Sequence, residues 1–425
     1  MVSKGYWAIL PFSSLKHMPH LKLSPSGVVP QRTRRPRPIM DYSFTGVNAA
    51  SLALSPSAAM QFGHALPRLL QRIAYAPRHH GPPLLMKLDL SDGYYRVRLS
   101  PEAALELAVV LPGPKPSTPV IGIPLCLPMG WRHSPPFFCA FTETAADIAN
   151  TSITTPVALP PHPLEYSSQA HDVPRTQSFT PSAVHPPTAI SDPSPLAFVD
   201  IYIDDFIGLA QPSEAPRTLR AMLHAIDSIF RGYPLPRDPP SRKQVISASK
   251  LSAGDGAWST QKVILGWLLD TAAGTLSLPQ HKEERLLDLL RSFQPLKRTS
   301  RKRWYGLLGE LRHMSVALPG ARYLFSILQS LLVDQPSSKR LRLPPLVHAA
   351  LQDWQHLADS ITSNPLPIAS LVPQAPSYMG AVDASGYGQP QLAPAMLNHG
   401  HFTIIQNQQI PQPRLPPVTG GNRGL

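Results

Sequence analysis

Two adjacent carboxylates, Asp204 and Asp205, stand between two apolar runs of the sequence. Apolar and polar side chains alternate over 199–204, as in a strand with one buried face, and a second apolar run follows over 206–210. The pattern predicts a β-hairpin with both carboxylates at its tip. Asp-Asp is also ordinary turn chemistry between buried strands, so the pair alone allows a purely structural interpretation. Two carboxylates fixed on a hairpin repel each other, however, and a divalent cation would relieve that repulsion.

A metal site here would need a third carboxylate, also at the end of a strand. The apolar run over 84–89 ends at Asp89, and a turn and a second alternating segment follow it. Asp92 is the competing candidate, three residues further on. We favour Asp89 because it ends the apolar run. With Asp89 as the ligand, the backbone carbonyl of Leu90 would also lie near the ion.

Three segments resemble motifs of retrotransposon reverse transcriptases and occur in the order of that family. Residues 202–205 (YIDD) resemble the YxDD box, and 88–94 (LDLSDGY) resemble the first catalytic motif. Residues 127–138 (LPMGWRHSPPFF) are similar to the family's LPxGWxxSPxxF motif. The resemblance implies an α+β right-hand polymerase, with fingers, a palm that carries an antiparallel sheet and the YxDD hairpin, and a helical thumb and connection. A partial RNase H-like segment would follow.

The resemblance implies an RNA-directed DNA polymerase, a nucleotidyltransferase that adds deoxynucleotides to a primer 3′-hydroxyl. Asp89, Asp204 and Asp205 would hold two Mg²⁺ ions, with Mn²⁺ as the alternative metal, and Asp205 would be the weaker ligand of its pair. Lys250 would protonate the leaving pyrophosphate. Lys243 and Lys262 compete for that role, and each of the three lysines can equally be an ordinary surface residue. The implied partners are an RNA or DNA template–primer duplex and deoxynucleoside triphosphates.

Four residues are candidates for nucleotide binding by the same resemblance. Arg37 stands four positions before Asp41, where relatives carry an arginine that packs on the incoming nucleotide; a basic loop that binds nucleic acid non-specifically is the alternative. Tyr94 would collide with a 2′-hydroxyl and so select deoxynucleotides. Gly130 would let the backbone approach the template and nucleotide. Met129 stands where relatives often carry glutamine, and a methionine cannot make that residue's hydrogen bonds.

Further along the chain, Leu265, Gly266 and Trp267 lie in a segment that resembles the hairpin that grips the primer terminus. Residues 279–333 have a helical pattern and fit a thumb. A dense basic cluster lies among them and could follow a duplex by phosphate contacts, although a solvated helix face is the alternative. The cluster consists of Lys297, Arg298, Arg301, Lys302 and Arg303.

These patterns predict seven regions along the chain. They are an N-terminal segment with fingers (1–83), palm (84–150), a Pro/Ser/Thr-rich inserted loop (151–195), palm with the two hairpins (196–274), thumb and connection (275–335), a linker (336–374) and a truncated RNase H-like start (375–425). The inserted loop is expected to be disordered, with His162, His171 and His185 exposed. Helices are expected over 60–80, 135–150 and 217–231, and a hairpin over 104–125.

The C-terminal sequence Asp383–Gly388 (DASGYG) resembles the opening strand of retroelement RNase H domains. No Asp or Glu follows Asp383, although that fold needs three further acidic residues. We therefore expect the domain to be truncated and without RNase H activity.

Composition limits the remaining interpretations. The 425-residue chain is 43% hydrophobic, which suits a globular protein, and its 52 prolines indicate long loops. The net charge of +13 favours a polyanionic partner, although a solvated basic surface is an alternative that charge alone does not exclude. Two cysteines, Cys126 and Cys139, give neither a zinc spacing nor a disulfide framework. We expect an intracellular protein, cytoplasmic or nuclear, with no signal peptide and no membrane partner; the oligomeric state stays open.

Two other functions compete with the polymerase. One is a catalytically decayed or co-opted remnant that only binds nucleic acid, which Met129, the long Pro-rich insertion and the missing RNase H carboxylates favour. The other is an RNA polymerase, against which Tyr94 argues. The intact set of three carboxylates favours the reverse transcriptase.

Overall fold

The structure is a computed structural model of the full chain. It describes residues 1–30, 37–50, 60–113, 119–156, 158–165, 194–230, 245–247, 250–317, 321–333 and 340–373. Within these ranges, side chains are not described for Arg37, 252–253, 315–317, Arg322 and 361–363. Lys243, His171, His185 and the whole RNase H-like segment with Asp383 lie outside the described residues. Met1–Pro373 form one compact unit with mixed helices and strands.

Helices and strands alternate irregularly along this unit. The described strands are β1 (Trp7–Pro11), β2 (Leu23–Val29), β3 (Arg37–Met40), β4 (Leu84–Asp89), β5 (Ala108–Leu111), β6 (Val120–Pro124), β7 (Ala197–Tyr202), β8 (Asp205–Ala210), β9 (Gln261–Ile264), β10 (Trp267–Asp270), β11 (Thr275–Ser277), β12 (Arg298–Thr299), β13 (Leu341–Arg342) and β14 (Leu366–Pro367). The described α-helices are α1 (Phe12–Leu15), α2 (Val47–Ala50), α3 (Ala65–Ala74), α4 (Pro101–Glu106), α5 (Ser134–Thr154), α6 (Ala215–Phe230), α7 (Gln280–Phe293), α8 (Arg301–Ala317), α9 (Arg322–Val333), α10 (Pro345–Ser363) and α11 (Ile368–Leu371).

A three-stranded antiparallel sheet in the order β4-β8-β7 lies at the centre and is covered on both faces. Val199, Ile201 and Phe206 pack on one face against α5 and α6. Leu85 and Ile207 pack on the other face against α3 and the C-terminal helices. Burial on both faces explains why β8 is an almost unbroken apolar run. The predicted hairpin over 198–210 is confirmed.

A separate five-stranded sheet has the order β1-β6-β5-β2-β3 and is antiparallel except for the parallel pair β2–β5. Trp7 and Val109 pack with Tyr42 and Tyr95 in one core, and Ile121 packs with Leu15 in another. The expected hairpin over 104–125 is only partly correct, because residues 101–106 form α4. Ser100 caps that helix by accepting a 3.2 Å hydrogen bond from the Ala103 amide, and Pro101 suits its first turn.

The other predicted helices are present with different ends. The helix expected over 135–150 extends over Ser134–Thr154, and the helix expected over 217–231 extends over Ala215–Phe230. The helix expected over 60–80 is shorter: α3 covers Ala65–Ala74, and a 3₁₀ turn stands on either side. Pro77 explains the C-terminal break, because proline disfavours helical backbone in the residue before it.

The expectation of a linker over 336–374 is wrong for the part that the structure describes. Residues Pro345–Ser363 form α10, in which Leu351 and Trp354 are fully buried in the same core as α7 and α8. β14 also adds a strand to the sheet β14-β11-β10-β9. Pro345 lies in the first turn of the helix, where proline is well tolerated.

The inserted loop is also shorter than expected. Residues 151–154 continue α5, and 158–165 pack against α6. His162 is only 3% exposed, contrary to the expectation of solvent exposure, and its Nε2 lies 2.9 Å from Asp227 Oδ2. Tertiary contacts with α6 therefore order the beginning of a segment whose composition suggested disorder.

In the part of the chain that the structure describes, no helix is both long and apolar enough to cross a lipid bilayer.

Candidate active site

The tip of the β7–β8 hairpin is a two-residue turn made of Ile203 and Asp204. Ile203 has a φ of +58°, a left-handed conformation that a β-branched residue rarely adopts. Strained backbone of this kind persists only where the surrounding structure enforces it, and it concentrates at functional sites. Here both strands continue into the buried core and hold the turn in place.

Strand register brings the third carboxylate to the same place. On β4 and β8, Asp89 is the direct cross-strand partner of Asp205, and Tyr202 of β7 is opposite Asp205 on the other side. Like charges directly opposite each other on a sheet are destabilising, so this pairing opposes folding.

Burial and repulsion change the protonation of the hairpin carboxylates. The pKa of Asp204 is raised, mainly because burial penalises its charged form and also by the charge of Asp89. The pKa of Asp205 is raised by burial and then by the charges of Asp204 and Asp89, although Lys87 and Lys250 oppose the shift. A cation bound between these groups would relieve the repulsion.

Lys250 contacts this carboxylate group directly. Its Nζ lies 2.8 Å from Asp89 Oδ2. Burial tends to lower the pKa of Lys250, but the hydrogen bond and charge of Asp89, with the charges of Asp205 and Asp255, raise it overall. The structure therefore brings the sequence-predicted lysine and carboxylates together.

Lys262, which competes with Lys250 as the proton donor, instead makes hydrogen bonds to the backbone. Its Nζ donates to the carbonyl oxygens of Gly254, at 3.1 Å, and Ala257. Burial lowers its pKa to about 8. These bonds hold the turn at Leu251–Asp255 directly after Lys250, so Lys262 supports the position of Lys250.

Asp92, the competitor of Asp89, is bound to the N-terminal segment. Its Oδ2 accepts hydrogen bonds from Lys4 Nζ at 2.7 Å and from the Tyr6 hydroxyl at 3.0 Å. The sequence analysis missed both of these partners, which are more than 80 residues away in the chain. Asp92 thus has a structural role that does not depend on a metal.

Tyr94 lies beside the hairpin tip. Its ring packs on Phe138 with a centroid distance of 4.7 Å. Its pKa is raised to about 12 by burial and by the charges of Cys139 and Asp204. The preceding residue, Gly93, is close to the hairpin tip, since a Cβ at this position would lie 3.8 Å from the Asp204 Cβ.

Gly130 is fixed against strand β3. Its φ is +98°, and a Cβ at this position would lie 2.7 Å from the Met40 carbonyl oxygen. Asn48 holds the loop by donating to the Gly130 carbonyl oxygen at 3.2 Å and accepting from the Arg132 amide at 2.9 Å. Contact with β3 is therefore sufficient reason for the glycine. Met129 is half-buried in this loop, and the backbone of Arg37 lies at the start of β3.

The hairpin β9–β10 has Leu265 and Gly266 in its turn, both with positive φ. Lys282 Nζ donates to the Gly266 carbonyl oxygen at 3.2 Å, which links the turn to α7. Trp267 is fully buried and packs on His313 with a ring distance of 5.5 Å. Direct contact between Trp267 and a bound primer would require the core to open, so Trp267 can only support the turn.

The donor chemistry of the carboxylate group suits a hard divalent cation. Asp89, Asp204 and Asp205 offer oxygen ligands. Burial, and to a smaller extent the neighbouring carboxylates, raise the pKa values of Asp204 and Asp205. Over the described ranges, however, no three His, Cys, Asp or Glu side chains are already grouped to hold a metal ion. One of the three carboxylates, Asp89, already binds a positive charge, the ammonium group of Lys250.

Asp200 is a further buried carboxylate that the sequence analysis did not single out. It is 3% exposed, and Arg68 donates to it through Nε at 2.9 Å and through Nη2 at 2.6 Å. This pair joins α3 to β7 and has a structural role. Alternation along 198–203 places an acid at this position but cannot reveal the arginine, which is 132 residues away.

Among the comparisons with known proteins, only solved structures match this chain, and they show a likeness of fold. No protein-family model matches the chain, and no curated protein does. A solved structure of the foamy viral protease-reverse transcriptase dRH in complex with ds DNA superposes with a TM-score of 0.51 at 12% identity, over 84% of this chain and 46% of that one. Structures of the foamy viral protease-reverse transcriptase with dsDNA and with RNA/DNA hybrid reach a TM-score of only 0.46 at 13% identity, over 80% and 79% of this chain and 52% and 33% of theirs.

The chain thus has a reverse-transcriptase-like fold. It spans 46% of the foamy viral chain with which it superposes at a TM-score of 0.51.

Proposed function

We propose that the chain is an RNA-directed DNA polymerase of a retrotransposon, of the YxDD type, which adds deoxynucleotides to a primer 3′-hydroxyl. The observation that carries this proposal is the strand register that sets Asp89 opposite Asp205, beside Asp204 in a strained turn. The reverse-transcriptase-like fold supports it independently of that site.

In this function Asp89, Asp204 and Asp205 would hold two Mg²⁺ ions, with Mn²⁺ as the alternative. When bound, the metal would acidify the attacking hydroxyl and stabilise the charge on the transferred phosphate. Burial at the hairpin lowers the local dielectric, which would strengthen the attraction between these carboxylates and a cation.

The other residues of the site would bind and orient the substrates. Lys250 would carry the proton for the leaving pyrophosphate, and its raised pKa keeps it protonated until use. Tyr94, fixed against Phe138, would exclude a 2′-hydroxyl. The Met129–Gly130 loop and Arg37 would contact the nucleotide, and the Leu265–Gly266 turn would contact the primer terminus.

The partners in this proposal are a template–primer duplex and deoxynucleoside triphosphates. The net charge of +13 favours binding to a phosphate backbone. The foamy viral protein was solved with double-stranded DNA, and we propose that this chain binds a duplex of the same general kind.

A decayed or co-opted nucleic-acid-binding remnant is the second candidate. The observation that favours it is the contact of Lys250 with Asp89, together with the lack of a ready-made three-ligand group among the described residues. In that case the fold would bind duplexes but not extend them.

Primer extension on an RNA template with Mg²⁺ distinguishes the two candidates. We expect extension by the wild-type chain, loss of extension in Asp204→Asn and almost unchanged duplex affinity in that variant. Asp288→Asn, on the exposed surface of α7, is the matched control and should extend normally. Duplex binding without extension by the wild-type chain would establish the remnant, and equal extension by Asp204→Asn would exclude the site.

A further inference from the structure

The N-terminal segment before β1 contacts the turn that carries Tyr94. Asp92 Oδ2 accepts hydrogen bonds from Lys4 Nζ at 2.7 Å and from the Tyr6 hydroxyl at 3.0 Å. The ring of Tyr6 also stacks on the ring of Tyr95, with a centroid distance of 5.1 Å and an interplanar angle of 14°. Tyr6 therefore holds the chain on both sides of Tyr94, two residues before it and one residue after it.

The backbone at Asp92 depends on this support. Its φ of +60° is left-handed, a conformation that is uncommon outside glycine. Asp92 stands directly before the 3₁₀ turn Gly93–Arg96, a position from which an aspartate side chain commonly accepts from the amides that follow. Here the carboxylate points to Lys4 and Tyr6 instead. Contacts with the N-terminal segment thus replace a local cap.

Tyr6 is itself held firmly in the fold. It is only 1% exposed, its carbonyl oxygen accepts from the Leu125 amide at 2.9 Å, and the next residue begins β1, which pairs with β6. Burial, and then the charge and hydrogen bond of Asp92, raise the pKa of Tyr6, so its hydroxyl stays protonated and remains a donor. The turn is therefore fastened to the five-stranded sheet through this one side chain.

We propose that Lys4 and Tyr6 are positioning residues that set the choice between deoxyribose and ribose through Tyr94. The inference rests on the proposed function, in which the ring of Tyr94 excludes a 2′-hydroxyl. That ring packs on Phe138 at a centroid distance of 4.7 Å, while Tyr6 holds the backbone on either side of it. Exclusion of a single oxygen atom depends closely on where the ring lies, because contact energies change steeply with small displacements.

The test is nucleotide selectivity in primer extension by the full-length chain. The measured quantity is kcat/KM for a deoxynucleoside triphosphate divided by kcat/KM for the matching ribonucleoside triphosphate. For Tyr6→Phe and for Lys4→Gln we expect this ratio to fall about tenfold, mainly because ribonucleotide incorporation rises. A variant that is only destabilised would lose both activities together and keep the wild-type ratio, and that result would overturn the proposal.

Lys22→Gln is the matched control for Lys4→Gln. Lys22 makes a comparable, partly exposed ion pair at 3.0 Å, but with Glu106 of α4 rather than with Asp92. This variant should keep the wild-type ratio. An equal fall of the ratio in Lys22→Gln would overturn the proposal, because the loss of any similar ion pair in this part of the chain would then be sufficient.

A double variant tests whether Tyr6 acts through Tyr94. Removal of the ring in Tyr94→Ala should itself lower the ratio. In that background Tyr6→Phe should lower it no further, because the group that Tyr6 positions is already missing. A further fall in the double variant would show that Tyr6 acts on selectivity by another route, and the proposal would be wrong.

Hydrogen exchange measures the same contacts without nucleotides. The amides over 92–97 should exchange faster in Tyr6→Phe than in Lys22→Gln, since the Tyr95 amide donates to the Asp92 carbonyl oxygen at 2.8 Å within this turn. If the wild-type chain extends primers but Tyr6→Phe leaves the ratio or this exchange unchanged, only this proposal fails. If the wild-type chain extends no primer, the proposed function fails, and the inference fails with it.

Discussion

At the scale of single residues, Asp204 and Asp205 carry an energetic cost in the folded protein. Burial is the main reason why both pKa values are raised; the charge of Asp89 adds to the shift at Asp204, and the charges of Asp204 and Asp89 add to it at Asp205. Ionising either carboxyl group therefore costs more free energy in the folded chain than in the unfolded chain. Most buried polar groups are compensated by a hydrogen-bonding or charged partner. Lys87 and Lys250 offset only part of this cost, because both pKa values stay raised.

Removing one of these charges should therefore stabilise the protein while abolishing activity. A carboxylate with a raised pKa destabilises the fold above that pKa, and the effect disappears as the pH falls below the ordinary value of 3.8. We expect the thermal midpoint of Asp204→Asn to exceed the wild-type value at about pH 8, and this difference to shrink at about pH 4.

Mg²⁺ provides the control for that measurement. Added Mg²⁺ should raise the wild-type midpoint, because a ligand that binds only the folded state stabilises it, and it should affect Asp204→Asn much less. A variant that is less stable than the wild-type chain at about pH 8 would show that Asp204 is a stabilising turn residue and no ligand.

At the scale of elements, the segment over 158–165 is anchored to α6 by a buried polar network. Glu165 accepts from Arg220 Nε at 2.8 Å, from Arg220 Nη2 at 2.9 Å and from the His162 amide at 2.7 Å. The hydrogen bond from Arg220 is the main reason why the pKa of Glu165 is lowered. This stabilisation is present above the ordinary value of 4.5 and is lost as the pH falls through the lowered pKa.

Glu165→Ala should destabilise the chain by about 3 kcal/mol near neutral pH, because it leaves the partly buried guanidinium of Arg220 without its carboxylate. Urea denaturation measures the loss, and limited proteolysis should show faster cleavage near this segment. Glu214→Ala, directly before the first residue of α6, is the control: its carboxylate lies 3.9 Å from the exposed Arg217, and such a pair contributes less than about 1 kcal/mol. Equal effects of the two variants would show that the segment is not anchored.

At the scale of the whole unit, α10 completes the core that packs against the four-stranded sheet β14-β11-β10-β9 and the helices α7 to α9. Trp354 and Leu351 are fully buried among residues of these helices. Because α7 also holds the Leu265–Gly266 turn through Lys282, loss of this core would reach the site. The region interpreted as a linker is thus part of the folded unit.

Trp354→Ala should lower the free energy of unfolding by about 4 kcal/mol, since it removes a large buried side chain and leaves a cavity. Leu346→Ala, on the same helix, removes a side chain that is 63% exposed and should change stability by less than about 0.5 kcal/mol. Urea denaturation of both variants makes the comparison. A small effect of Trp354→Ala would restore the interpretation of this region as a linker.

Local features that depend on nearest neighbours could be predicted from the amino-acid sequence. Alternation over 199–210 is sufficient to predict the hairpin and the position of Asp204 and Asp205 at its tip, because strand period and turn chemistry are local properties. The helices α5 and α6 were predictable for the same reason.

Which of these residues come into contact depends on how distant elements pair in the folded chain. Pairing of β4 with β8 sets Asp89 opposite Asp205, and neither strand encodes the other's register. Partners such as Arg68 for Asp200 and Arg342 for Arg298 join residues far apart in the chain. The folding of 158–165 and α10 depends in the same way on surfaces that other elements supply, which composition and local periodicity cannot report.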